Sequence, residues 1–352
     1  MTADELVERV KGLGDFIQQE DFSGLDLQGA DLSGGIFIQV CFDGCNFNGA
    51  NLEETLFNDC SAKKAVFQNT RMNETAFTDC RLENADFSGT LQETTRFVES
   101  AMTGTDFSGC RFSGLCIFSD SDLNDASFSG GHLDTAVLNS CELVAADFSQ
   151  AKFYKTTFYK CRFDQTLFTD AAIRLSLFYK ANLSGVCFSN MDMTGCQFHD
   201  SVLSGCNFSH SILKRAGFMW AQSAGSSFDN ADLEYASFYD ANLAESSFKS
   251  SFMKMAGLQY ADLTNSDFTG TVLHQAQMEG VNAEDSIFRQ VDLTYADLSH
   301  ARLSRSDFSK ANLFMANLHE IIDKDTRWSG SNRSHSRGTN AKRQKAEQWR
   351  KQ

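Results

Sequence analysis

Residues 50–89 read ANLEETLFNDCSAKKAVFQNTRMNETAFTDCRLENADFSG. Taken in steps of five from Leu52, the stretch gives Leu52, Phe57, Ala62, Phe67, Met72, Phe77, Leu82 and Phe87. Outward from there the count holds. From Phe22 to Phe112, 17 of 19 such positions are Phe, Leu or Met, with Ala62 and Gln92 as the exceptions. After one extra residue it restarts at Phe118 and runs to Leu318, where 39 of 41 positions are Phe, Leu, Ile or Met, broken by Ser223 and Ala283. Of 32 phenylalanines, 29 lie on this lattice. Helices repeat every 3.6 residues and strands every two, so a period of five marks a repeating backbone path instead.

Within each unit the lattice residue is the centre. Two positions earlier stands Ala, Ser, Thr or Cys, the residue just before the centre is often Asp or Asn, and the two after it are mostly polar. ADLSG (30–34), ADFSG (85–89), ANLSG (181–185) and ADLTN (261–265) are examples. A large buried residue paired with a small one describes a short inward-facing stretch followed by a corner. These units closely resemble the pentapeptide-repeat family, whose signature is A(D/N)LXX, over about residues 20–320. The resemblance implies an all-β fold: a right-handed quadrilateral parallel β-helix, a solenoid in which four units make one coil. About sixty units imply about fifteen coils, and at roughly 4.8 Å per level a rod about 70 Å long.

The sequence offers its own check on four sides, because centres ten residues apart should then lie on opposite faces. Phe37, Phe47, Phe57, Phe67, Phe77, Phe87, Phe97 and Phe107 form one unbroken ten-residue series. The series resumes at Phe118, ten plus the one inserted residue, so the insertion reads as a bulge near 113–117 within a continuous helix. Proline is absent, where roughly 17 would be expected at about 5% usage. A fold built of hydrogen-bonded ladders excludes it, since proline has no N–H to give.

The expected organisation has three parts. Residues 1–19 hold an N-terminal capping helix, with a Thr2…Glu5 capping box and Leu6, Val7, Val10 and Leu13 laid over the first coil. Residues 20–320 are the solenoid. Residues 321–352 are a cap, closed by Ile321, Ile322 and Trp328, and a flexible basic tail, with a short helix around 340–350 as the alternative.

Composition narrows the function. Residues 324–352 carry nine Lys/Arg against Asp325 and Glu347, which leaves 44 acidic and 22 basic residues elsewhere. So acidic a body argues against direct DNA binding. Nine of the 11 cysteines (45, 60, 80, 110, 116, 141, 161, 196, 206) fall two before a centre, where they read as small buried hydrophobes in a reducing compartment. No signal-length or membrane-spanning apolar run is present, so a cytoplasmic protein is expected, with export by a signal-less route as the other setting. The seven histidines are scattered without metal-ligand spacing, and no nucleophile constellation or phosphate loop appears. No enzyme activity and no cofactor are expected.

The outward positions sort by face. Beyond residue 143, two faces have almost nothing large and apolar after their centres. The two adjacent ones carry Tyr154, Tyr235, Met255 and Tyr295, and Tyr159, Tyr179, Met219, Trp220, Tyr239 and Tyr260. Two readings stand. The aromatics are ladders that stabilise neighbouring coils, or they are a protein-binding stripe. The second makes the chain a non-enzymatic interaction scaffold for a protein partner, in a bacterial setting such as a secretion-system effector or accessory protein. The family resemblance supplies an alternative: an acidic, DNA-mimicking binder of DNA gyrase or topoisomerase IV, as in quinolone-protecting members.

Overall fold

The computed structural model describes residues 2–13 and 16–350. It divides into two compact units, Met1–Asn182 and Leu183–Gln352, each a parallel β-solenoid. In the first, one face is a nine-stranded parallel sheet. In the second, bridges from Cys187 through Asn207, Ser227, Ser247, Asp267, Ile287 and Asp307 to Arg327 mark successive levels on one face. One face thus shows nine levels in the first unit and eight in the second.

Outside the units that contain the three-residue strands, each five-residue unit spends its backbone groups in the same way. The N–H before the centre donates to the level on one side, and the centre and the corner residue donate to the other, as in Asn46 to Leu25, Phe47 to Val66 and Gly49 to Gln68. The next N–H closes the turn, as Ala50 does to Phe47. Only the N–H just after the centre lacks a backbone acceptor. The Asp or Asn before the centre takes it, as Asp106 Oδ1 does from Ser108 at 2.8 Å and Asn207 Oδ1 from Ser209 at 3.0 Å. That side-chain turn is why the repeat favours Asp and Asn there.

Partners lie twenty residues apart, as Phe57 and Phe77 do. Across the insertion they lie 21 apart, Phe97 against Phe118, and the exposed Leu115 absorbs the difference. Inside, Phe47, Phe67, Phe87 and Phe107 stack with centroids 4.5–5.0 Å apart, while Phe77 and Phe97 meet them edge-on from the opposite face. Small residues fill the corners, and their hydroxyls or thiols reach a carbonyl 23 positions back, as Thr75 does to Leu52 at 2.7 Å and Cys110 to Phe87 at 3.0 Å. The nine corner cysteines are free and buried, whereas Cys41 is half-buried and Cys187 exposed. Burial pushes the Cys45 thiol up to about 11 and that of Cys110 to about 12, which makes both poor nucleophiles.

The N-terminal helix α1 (Ala3–Glu8) starts with the Thr2–Glu5 capping box, followed by a wider helical turn at Arg9–Leu13. Leu6 and Val10 are buried, and Val7 is half-buried; the side chain of Leu13 lies outside the described residues.

The C-terminal end differs from expectation. Trp328 takes a centre position and stacks on Phe308 at 4.7 Å, with Arg333 over its ring. Ile322, by contrast, sits just before a centre and is 53% exposed, so it does not close the coil. Nor is the tail flexible throughout. Backbone pairing continues to Arg337, and Ala341–Arg350 form a second helix, α2. The ladder remains open past Leu318, which gives the polar chain a place to pair. Among the described residues no helix is long and apolar enough to cross a membrane.

Candidate interaction faces

Because a corner column advances one level per twenty residues, outward side chains twenty apart stand in register. In the first unit Tyr159 pairs with Tyr179, rings 5.6 Å apart, and Lys160 and Lys180 lie over them at 5.2 and 5.1 Å. Tyr154, on the neighbouring face, is exposed beneath Lys155. In the second unit Trp220, Tyr239 and Tyr260 form an edge-to-face series at 6.3 and 5.7 Å, with Met219 half-buried beside it. The Tyr260 ring lies across Gly280, where any Cβ would come within 2.7 Å of it. The other face of this unit carries Tyr235 beside Arg215, then Met255, then Tyr295 between His274 and Phe314.

The structure therefore gathers the sequence-predicted residues into separate clusters within each unit. It also adds residues that were missed. Ile212 and Phe252 are exposed on an aromatic face, but Leu167, Val202 and Ile322 are exposed on faces expected to be bland. All five precede a centre. The position usually held by Asp or Asn is outward too, and an apolar residue there was the available signal.

The scattered histidines are partly reunited. His300, His319 and Glu347 bring potential ligand atoms within 4.8 Å of one another. His319 is buried, and its Nδ1 accepts the N–H of Asn340 at 3.0 Å. The neutral ring thus keeps its proton on Nε2, aimed at Glu347 3.2 Å away, and has no lone pair there for a metal. Arg343 donates to the second carboxylate oxygen at 2.6 Å. The cluster is a polar latch holding α2 against the solenoid. Counting coils would have found it, since His300 and His319 flank centres one level apart.

Desolvation raises the Glu347 pKa, but hydrogen bonds from Arg343 and His319, with His300 beside them, outweigh it and hold the carboxyl at about 2, against 4.5 when free. The docked state thus favours the anion, and its contribution is complete above pH 4.5 and lost as pH falls toward about 2. Circular dichroism should show α2 helicity fading across that window. At neutral pH, trypsin should cut at Lys342, Arg343 and Lys345 severalfold faster in Glu347→Gln. Equal cleavage would show that the latch does not hold the helix.

Comparisons agree with the fold. The model described as pentapeptide repeat region matches residues 30–107 and 145–218, and the one described as pentapeptide repeats (8 copies) matches 116–153, 256–282 and 286–322. Solved structures similar to this chain include QnrB1, a plasmid-mediated fluoroquinolone resistance protein, at 18% identity over 57% of this chain and 92% of that one, TM-score 0.39. HetL, involved in heterocyst differentiation regulation in Nostoc sp. strain PCC 7120, is 20% identical over 72% and 90%, TM-score 0.18. A protein from the Arabidopsis thaliana thylakoid lumen is 27% identical over 32% and 68%, TM-score 0.15. No curated protein matches.

Proposed function

The chain belongs to the pentapeptide-repeat family, and from that premise we propose that it is a non-enzymatic scaffold whose aromatic side chains receive a protein partner. The observation that carries this reading is the series Trp220–Tyr239–Tyr260 in the second unit. A ladder that served only stability would bury its rings between levels, yet Trp220 and Tyr260 remain 44% and 52% exposed. Tyr and Trp are also the side chains that dominate binding energy at interfaces, and the hydrogen-bonded backbone beneath them is already ordered. Met219 adds to the series, and Tyr235, Met255 and Tyr295 extend the surface over the adjoining face. Tyr154, Tyr159 and Tyr179 lie in the first unit, in a neighbourhood of different character.

The test compares wild type with Trp220→Ala/Tyr260→Ala in pull-downs from the native cell. The variant should melt within a few degrees of wild type and lose a partner that wild type retains. Recovery of the same partners by both would defeat the reading. The exposed acids Asp59, Asp79, Glu99 and Asp120 on one corner of the first unit favour the alternative, a DNA-like binder of gyrase or topoisomerase IV. It requires supercoiling to respond to added protein and to stop responding when these acids become amides.

A further inference from the structure

The nine-stranded face of the first unit is unlike the other three. At the positions flanking its centres it shows Phe16, Ile36, Ile38, Leu56, Val98 and Ile117 in its N-terminal half. Val137, Tyr159, Leu177 and Tyr179 follow in its C-terminal half. The same positions on the other three faces of this unit hold only Val66, Leu91, Val144, Tyr154 and Leu167 as large apolar residues. Sheets that meet water on one side ordinarily place polar residues there. An outward apolar sheet of this extent points to a surface that is covered.

Both edges of the face are sorted by charge. Along the corner that ends it, successive levels present Asp59, Asp79, Glu99 and Asp120, then Ser140, then Lys160 and Lys180. Along the corner that leads into it stand Glu54 and Glu74, and later Lys155. All but the half-buried Ser140 are exposed. Among the described residues, Glu54, Asp59, Glu74, Asp79, Glu99, Asp120, Lys155 and Lys160 take part in no ion pair. Like charges stacked one level apart repel at every step, so each edge is poorer in isolation than beside its opposite.

We propose that this face is the interface of an antiparallel dimer of the chain. A second copy turned end for end, in the register that sets Lys160 against Asp79, also sets Lys180 against Asp59 and Lys155 against Glu74, each twice over by symmetry. The parallel arrangement sets the ending corner against the leading one, which brings Asp59 and Asp79 toward Glu54 and Glu74, and Lys160 toward Lys155. Charge therefore selects the antiparallel orientation. In that register seven of the nine strands overlap, about 29 Å at about 4.8 Å per level, and a width of about 13 Å gives about 750 Å² over both partners, the size of a weak, salt-sensitive association.

The proposal does not depend on the aromatic series of the second unit, and its test leaves that series intact. Two charge-reversal variants are needed: Lys155→Glu/Lys160→Glu, and Asp79→Lys/Glu99→Lys. Lys155, Lys160, Asp79 and Glu99 all sit at corners with φ of 50–55°, so acid and base already occupy the same backbone conformation and the swaps leave the fold alone. Circular dichroism verifies this for each variant. By sedimentation equilibrium at low salt, the wild type should be a dimer, and each variant should dissociate at least tenfold more readily. An equimolar mixture of the two should form a mixed dimer that neither forms alone. The mixed dimer should weaken near 1 M salt, where the screening length is about 3 Å. A monomeric wild type overturns the proposal, and so does a dimer indifferent to both reversals or a mixture that fails to associate. Capture of an unrelated protein by a monomeric wild type would assign the face to that protein instead.

Discussion

Replacing Phe87 with Ala is expected to destabilise the first unit by about 3–5 kcal/mol, a loss of about 10 °C or more in melting temperature. Phe87 is fully buried and lies between Phe67 at 4.5 Å and Phe107 at 5.0 Å, with Phe77 and Phe97 edge-on across the core. The ring is shared by three levels. Its removal leaves a cavity that hydrogen-bonded ladders on every side prevent from collapsing. Phe87→Leu should be much milder, since Leu fills many equivalent positions and the swap loses chiefly the ring–ring geometry, worth about 0.5–1.5 kcal/mol. Thermal melts of both variants decide the matter. If Phe87→Ala melts within two or three degrees of wild type, the stacked columns do not hold the levels together.

Proline should be ruinous at one position of the repeat and far milder two residues further on. Ser227 donates its N–H to Cys206 at 2.9 Å and bridges the levels of Asn207 and Ser247. Ser227→Pro removes that bond and crowds the ladder, and should cost about 3 kcal/mol or more. Ser209 occupies the one position with no backbone acceptor, in a turn closed from Ser211 to Phe208, with φ of 60° at His210. Those are the marks of a type II turn, whose second residue favours proline. Ser209→Pro loses the N–H bond to Asn207 and the hydroxyl bond with Ser227 at 2.8 Å, and should stay within about 1–2 kcal/mol of wild type. Denaturant titrations of the two variants test the hydrogen-bond pattern rather than the core. Equal losses would mean that proline is absent for some reason other than the ladder.

Much of this was legible because one period governs everything. The large centres, the small corners and the cysteines among them follow from steric demands that recur every five residues, and a single insertion between Phe112 and Phe118 could be located by its effect on the count. What the period does not govern was harder to read. Residues 329–340 lack centres, and their order comes from an open ladder above Leu318 that composition does not reveal. The seat of α2 depends on His300 and His319, nineteen positions apart and adjacent only after a full coil. The apolar sheet of the first unit is hard to read from sequence because the residue before each centre is so often Asp or Asn. Ile36, Leu56, Ile117 and Leu177 occupy that slot, and the N–H that such an acid would have taken is left to other partners.

The left-handed corners carry a last implication. Most of them hold something other than glycine: acids, lysines, Leu175, Trp220, Tyr260. A non-glycine residue there gives up about 1–2 kcal/mol of conformational preference, and the chain accepts that cost dozens of times. It can do so because the ladders on either side impose the turn whatever its side chain. What the backbone enforces, the side chain no longer has to specify. Each corner is thus a blank mark on a ruler graduated at about 4.8 Å, and its chemistry can be rewritten, one letter at a time, without moving any other mark.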